Sequence, residues 1–191
     1  MSKLGMMFAR VGHDVVFSEG WNRTRAEAFV RRAGGNARVG IAGEADVLLT
    51  DLPAARLSSA LEGCAAPRGR IIITCAYAAG SVQLPFELEG QRVVAAFDGI
   101  VDADLCPAFH ARERGGGPPI EVYGVDASAR STAHRLVGEV GFTPLDTGAM
   151  IRRTTQVSKG ALVAVPTPSP DGTTKIAYRF EPIIGWKGSK C

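Results

Sequence analysis

Short apolar runs alternate with amphipathic segments along most of the chain, and this alternation predicts the fold. A continuous run such as Val47-Leu48-Leu49 is typical of a parallel strand that is buried on both faces. Segments with apolar residues on one face only predict helices. The predicted strands are 13–18, 37–42, 47–50, 70–76, 93–97, 120–124 and 142–148, and the predicted helices are 4–11, 23–34, 53–63 and 127–140. The order predicts an α/β fold with a mainly parallel sheet.

The second half of the chain also contains segments without this pattern. The segment 106–118 is predicted to be a loop because it is rich in glycine and proline. The Pro/Ser/Thr-rich segment 166–175 is predicted to be a second loop. Apolar and polar residues alternate along 175–184 as they do in a strand, and the residues after this segment are predicted to be a mobile end. The sequence thus predicts a domain over 1–150 and a tail of helix, loop and strand over 151–191.

Composition narrows the class of protein. With 191 residues, of which 46% are hydrophobic and 21% charged, the chain is expected to form one packed domain. The net charge of +3 is mild, and the arginines are scattered, which argues against a nucleic-acid surface. No apolar stretch approaches the roughly 20 residues that span a bilayer. We expect neither a membrane partner nor a signal peptide.

The cysteines and histidines predict no metal centre. The four cysteines are far apart in sequence and form no C-x-x-C pair, so neither zinc nor a disulfide scaffold is expected. The three histidines do not have a metal-ligand spacing. This composition favours a reducing, cytoplasmic location.

The segment 2–18 carries the most information about function. It resembles the end of a Gly-rich phosphate loop, its helix and the second strand of a Rossmann unit, in which a pyrophosphate lies at a helix N-terminus. Gly5 could be the last glycine of that loop, or an ordinary glycine near a frayed N-terminus. The first strand and most of the G-x-G-x-x-G fingerprint do not precede it in the sequence.

Ser18 ends the predicted second strand, where a Rossmann unit meets the ribose next to the adenine. A carboxylate at this point, such as Glu19, favours the free 2′-hydroxyl of NAD. Arg23 and Arg25 follow and could hold the 2′-phosphate of NADP, or could simply begin a solvated helix. The sequence therefore leaves the choice between NAD and NADP open.

Two other segments at the ends of strands are candidates for ligand contact. Leu52-Pro53 follows a buried strand, and Thr74 ends the next one, where ligands usually lie in open α/β sheets. Cys75 is better interpreted as buried packing than as a nucleophile, because no base is placed near it in sequence. No residue is predicted to be catalytic in the acid–base or nucleophilic sense.

Several of these segments together resemble one protein family. The runs GHDVVFS at 12–18, ADVLLTDLP at 45–53, RIIITC at 70–75 and RVVAAFDGIVDADL at 92–105 resemble the NADP oxidoreductases that depend on the deazaflavin coenzyme F420. The long segment 115–150, which ends in G-F-T-P-L-D-T-G, is the most specific part. The resemblance covers about residues 2–150.

The resemblance implies a Rossmann-like domain and hydride transfer between NADP(H) and a deazaflavin, in which the protein positions two rings face to face. It implies that Gly5 belongs to the phosphate loop and that Ser18 lies at the 2′-phosphate. It also implies that Leu52 and Pro53 lie beside the nicotinamide half. Thr74-Cys75 and 96–100 would then border the deazaflavin.

The chain departs from the family at both ends. It begins after the family's first strand, and its tail from about residue 155 differs from the family's helical end. A doubly wound sheet without that strand exposes neighbouring strand edges. A homodimer, or a strand supplied by the segment 175–184, could cover them. The alternative function is a non-catalytic Rossmann-like regulatory or interaction protein that lacks the phosphate loop.

Overall fold

The computed structural model describes residues 2–18, 23–52, 57, 61, 68–75, 91–97, 100, 102–148 and 176–179. Its helices are α1 (Ser2–Arg10), α2 (Arg23–Ala33), α3 (Asp102–Ala111) and α4 (Ala127–Glu139), with short 3-10 turns at Ala42–Glu44 and Arg112–Arg114. Leu57 and Leu61 are also helical. Its strands are β1 (Val15–Ser18), β2 (Ala37–Gly40), β3 (Val47–Thr50), β4 (Ile71–Thr74), β5 (Arg92–Ala95), β6 (Pro119–Gly124), β7 (Thr143–Gly148) and β8 (Ile176–Arg179).

The eight described strands form one sheet in the order β2-β1-β8-β3-β4-β5-β6-β7. The first six in this order run parallel to one another. Strand β6 is antiparallel to β5, and β7 is parallel to β6. This arrangement confirms the predicted α/β class with a mainly parallel sheet, since β-branched and aliphatic residues fill strands that are buried on both faces.

Strand β8 occupies the middle of this sheet. It pairs in parallel with β1 on one side and with β3 on the other, so that Ala177 is opposite both Val16 and Leu48. The left part of the order, β2-β1-β8-β3-β4-β5, is the 3-2-1-4-5-6 order of a dinucleotide-binding sheet, with β8 in the place of the first strand. The strand predicted within 175–184 therefore fills the central position of the sheet. Of the two expected ways to cover the exposed strand edges, this is the one that the structure shows.

Two apolar layers cover the two faces of the sheet. Side chains from all four helices pack on one face, which we call the four-helix face, against alternate strand residues such as Phe17 and Leu49. The intervening strand residues, such as Leu48 and Ile72, point to the opposite face, where they form a second core with Leu57 and Leu61. The period of two along each strand thus divides one sheet between two cores.

The prediction of a loop over 106–118 is wrong in its first part. Helix α3 extends through Ala111, with Pro107 inside it. The segment has a helical pattern that its composition concealed, because Leu105, Ala108 and Phe109 recur at helical spacing and are all buried. The glycines that suggested a loop lie at 115–117, where Gly115 and Gly116 have positive φ angles.

Candidate functional site

Hydroxyl side chains line the carboxyl edge of the parallel strands. Strand register places the ends of these strands in one row across the sheet, because Thr50 is opposite both Arg179 and Thr74. Ser18, the last residue of β1, is opposite Gly40 at the same edge. Ser18, Thr50 and Thr74 are all buried. Because ligands of doubly wound sheets lie outside this edge, these hydroxyls border the expected ligand crevice.

Helix α1 begins at this same edge. Helix α1 ends just before the amino end of β1, so its own N-terminus lies at the carboxyl edge of the sheet. The backbone N–H groups of its first turn have no partner within the helix. Helix α1 also contacts β8. Its first turn contains no acidic residue. It does contain Lys3, of which only 3% is exposed. Gly5 lies within the helix and is buried.

The residues predicted at the ribose end lie at the end of β1 and in the first turn of α2. Ser18 is 7% exposed at the end of β1, and Arg23 begins α2. The guanidinium of Arg23 donates to Glu27 over 3.0 Å, in an exposed pair one helical turn apart. The guanidinium carbon of Arg25 lies 5.7 Å from the centre of the Phe29 ring. Two cationic side chains thus belong to the helix that follows Ser18.

The structure describes only some of the residues that were predicted to lie beside the nicotinamide and the acceptor. Leu52 is buried, and its backbone N–H donates to the Thr50 hydroxyl over 3.1 Å. This bond shapes the turn after β3 and was not predicted, since Thr50 looked like the end of a plain apolar run. Thr74 is 3% exposed, and Cys75 is buried as well. Pro53 lies outside the described residues.

A pocket opens at the far end of the carboxyl edge. Its volume is about 270 Å³, close to the lower limit of about 300 Å³ for ligand pockets. It is lined by Ile100, Asp104, Pro118, Pro119, Ile120, Glu121, Tyr123 and Phe142. Ile100 belongs to the segment predicted to border the deazaflavin. The rest come from α3, the start of β6 and the start of β7, and no single stretch of sequence could have revealed them.

Phe97 borders this region and has an unusual backbone. Its φ angle is 62°, in the left-handed region that non-glycine residues seldom occupy. Its ring is buried and lies edge-on to Phe8 and Phe142, with centroids 6.3 Å and 6.2 Å away. Strained residues of this kind cluster at functional sites, where packing holds the backbone in place.

The histidines His13 and His110 have different surroundings. His13 is 5% exposed, and its Nε2 lies 2.6 Å from Glu139 Oε2. His110 is exposed at the end of α3.

Within the described ranges, no group of three or more histidine, cysteine or acidic residues could hold a metal ion. None of the helices described is long and apolar enough to cross a membrane.

One cysteine departs from the expectation that there is no disulfide framework. Cys106, which is half-buried in α3, is disulfide-bonded.

No protein-family model matches the chain, and no curated protein matches it. Several solved structures do share its fold. A hypothetical protein of Sinorhizobium meliloti superimposes with a TM-score of 0.60 at 18% identity, covering 78% of this chain and 80% of the other. A candidate F420-dependent NADP-reductase of an Arthrobacter species has a TM-score of 0.59 at 14% identity, with the same two coverages.

A longer protein shares the fold as well. The 3-hydroxyisobutyrate dehydrogenase of Mycobacterium tuberculosis superimposes with a TM-score of 0.56 at 19% identity, over 78% of this chain but 50% of its own. These likenesses confirm the Rossmann-like fold and the resemblance in fold to an F420-dependent NADP-reductase.

Proposed function

We propose that the chain is an oxidoreductase that transfers hydride between NADP(H) and a deazaflavin of the F420 type or a related acceptor. The observation that carries the proposal is the position of β8. With β8 in the place of the first strand, the sheet has the order of a dinucleotide-binding unit, and its crevice lies between β8 and β3. Of the similar structures, one is named as an F420-dependent NADP-reductase and another as a 3-hydroxyisobutyrate dehydrogenase.

The residues at the carboxyl edge fit a nucleotide with a 2′-phosphate. The N-terminus of α1 offers free N–H groups, and its buried Lys3 adds a positive charge in the first turn. The first turn of α1 has no acidic residue that would repel the phosphates. At the ribose end, Ser18 offers a hydroxyl, and Arg23 and Arg25 begin the next helix. Guanidinium groups bind phosphate bidentately, so these residues favour NADP over NAD.

The proposed reaction needs positioning more than acid–base chemistry. NADP, when bound, supplies or accepts a hydride at C4 of its nicotinamide. The chain's part is to hold the nicotinamide ring against the buried Leu52 and to keep water away. The acceptor is proposed to lie next to that ring, along Thr74 and Ile100, and Ile100 also lines the 270 Å³ pocket. The protein is proposed to act as a homodimer in the cytoplasm.

The first test is titration of the full chain with NADPH and with NADH by calorimetry. We expect NADPH to bind at micromolar concentration and NADH more weakly. Binding of neither nucleotide at millimolar concentration would contradict the proposal and favour the non-catalytic alternative. Light scattering tests the dimer separately.

A charge placed at Ser18 tests the assignment of the ribose end. Ser18→Asp puts a carboxylate where the 2′-phosphate is proposed to bind, so we expect at least a tenfold loss of NADPH affinity, equivalent to about 1.4 kcal/mol. NADH affinity should stay the same or rise. The matched control is Ser128→Asp, at an exposed position of α4. Equal losses for both nucleotides, or a loss in the control, would refute the assignment.

A further inference from the structure

Strands β6 and β7 extend past the carboxyl edge of the sheet and form a corner there. Tyr123 of β6 is opposite Ala95, the last residue of β5, and these two strands run antiparallel. The residues of β6 before Tyr123 therefore lie beyond the end of β5. Strand β7 accompanies them, since Pro119 is opposite Thr143. Helix α3 follows β5 in the chain, and the 270 Å³ pocket lies in the corner between the start of α3 and the start of β6.

Part of the pocket lining is apolar and almost fully buried. Ile120, Tyr123 and Phe142 line the pocket, with exposed fractions of 5%, 3% and 4%. At about 30 Å³ each, the volume of a water molecule in the liquid, 270 Å³ holds about nine non-hydrogen atoms. The pocket therefore has room for a small ligand with an apolar body.

The charged side chains of the lining are both acidic. Asp104 and Glu121 line the pocket, and none of its eight lining residues is basic. Asp104 is exposed and makes no ion pair or hydrogen bond within the part of the chain that the structure describes. It belongs to the first turn of α3, so its negative charge opposes the attraction of that helix N-terminus for anions. The charge of the lining therefore favours a positively charged ligand.

The backbone of the lining is poorly suited to an anion. Anion sites in proteins are commonly built from free backbone N–H groups. Pro118 and Pro119 have no N–H to offer. The N–H of Phe142 donates to the Val137 carbonyl over 3.2 Å. An anionic ligand would therefore meet two carboxylates and three lining residues without a free backbone donor.

We propose that this pocket binds a small organic cation, namely an ammonium group carried on an apolar body. The ammonium group lies beside the carboxylates of Asp104 and Glu121, and the apolar body lies against Tyr123 and Phe142. The two aromatic rings add to the preference, because ring faces attract cations. This site goes beyond the proposed function, since it requires neither NADP nor hydride transfer. Ile100 borders both this pocket and the proposed place of the acceptor, so the bound cation lies next to the acceptor.

Three probes of similar size and different charge test the site. The full chain is titrated without nucleotide with benzylammonium, benzyl alcohol and benzoate, and binding is followed by NMR at the Ile120 and Phe142 amides. We expect benzylammonium to bind about tenfold more tightly than benzyl alcohol, and benzoate to cause no shift. Equal affinities for benzylammonium and benzyl alcohol, tighter binding of benzoate, or no binding of benzylammonium at about 10 mM would overturn the proposal.

Variants without charge test the two carboxylates. Asp104→Asn and Glu121→Gln each remove one negative charge at nearly constant size. We expect each to weaken benzylammonium binding about fivefold and to leave benzyl alcohol binding unchanged. The matched control is Glu113→Gln, since Glu113 is 83% exposed and does not line the pocket.

The exposed position of Asp104 keeps this test decisive. Asp104→Asn changes an exposed side chain, so we expect it to fold even where Glu121→Gln does not, and circular dichroism checks the fold of each variant. Unchanged affinity of Asp104→Asn for benzylammonium would overturn the proposal. An equal loss of affinity in Glu113→Gln would also overturn it, because the attraction would then come from the whole surface and not from the pocket.

Discussion

Glu139 joins two parts of the chain that are far apart in sequence. Its carboxylate lies 2.6 Å from His13, before β1, and 2.6 Å from Arg135, one turn earlier in α4. Burial raises the pKa of Glu139, but the hydrogen bonds to His13 and Arg135 together outweigh burial. The pKa of Glu139 therefore lies below its ordinary value of 4.5. The ionised side chain thus stabilises the fold.

Glu139→Gln tests this at acid pH. Because the pKa is lower in the folded than in the unfolded state, the ionised carboxylate stabilises the protein above pH 4.5. This contribution is lost as the pH falls through the folded-state pKa. We expect the variant to be less stable than the wild type in urea at pH 7, and the difference to shrink at pH 3. The control Glu113→Gln, with a side chain that is 83% exposed, should change neither value. An unchanged pH profile in Glu139→Gln would contradict the assignment.

Phe97 combines a strained backbone with a buried ring. Phe97→Ala removes the edge-on contacts with Phe8 and Phe142 and leaves a cavity, while the positive φ angle remains unfavourable for alanine. We expect a loss of about 3–5 kcal/mol in the free energy of unfolding, measured in urea. Val125→Ala, at a position that is 66% exposed, should stay within about 0.5 kcal/mol. A loss below 1 kcal/mol for Phe97→Ala would mean that the ring is poorly packed.

At the level of the elements, helix α4 has the best-defined start. Asp126 is its N-cap, and its Oδ1 accepts a hydrogen bond from the Ala129 N–H over 2.6 Å. Nearby, Arg130 donates to Asp146 of β7 over 3.0 Å and to the Gly124 carbonyl of β6 over 2.6 Å. The cap and this arginine together fix the helix against the two strands beyond β5.

Removal of the cap gives a measurable prediction. Asp126→Ala leaves the Ala129 N–H without its acceptor, so we expect the chain to lose about 1 kcal/mol of unfolding free energy. Ser128→Ala, one position inside the exposed start of α4, is the control and should be nearly neutral. Equal stability of the two variants in urea would show that water replaces the cap at no cost.

Most of these elements could be predicted, because their apolar period shows directly in the sequence. The predicted 47–50 has the bounds of β3, and the predicted 127–140 differs from α4 by one residue. Helix α3 was missed because Pro107 and the glycines at 115–117 outweighed its apolar spacing. Of the site, Ser18 and Thr74 could be placed because they end strands. The pocket could not, because Asp104 and Glu121 meet only after the chain has folded.

The whole molecule depends on a strand that is distant in sequence from its neighbours. Without β8, the described strands form two groups, β2-β1 and β3 to β7, with no ladder between them. Residue 176 pairs with residues 15 and 47, so the most central contacts of the sheet are also the longest in sequence separation. Such contacts form late in folding, since loop closure costs entropy before they can stabilise the chain.

A proline in β8 tests this dependence. Ala177→Pro removes a backbone donor from a strand with partners on both sides, so we expect a loss of at least 3 kcal/mol and a failure of the two groups of strands to join. The control is Ala127→Pro, at the first position of α4, where proline is tolerated. Circular dichroism and urea unfolding measure both. A folded, stable Ala177→Pro would mean that β8 is dispensable.

The position of β8 also sets an order of events during translation. The ribosome makes β1 to β7 before it makes the strand that lies between β1 and β3. Until then, the nascent chain has two facing strand edges with backbone groups open to other chains. We expect nascent chains that have not yet reached residue 176 to require a chaperone, and a pause in translation there to increase aggregation.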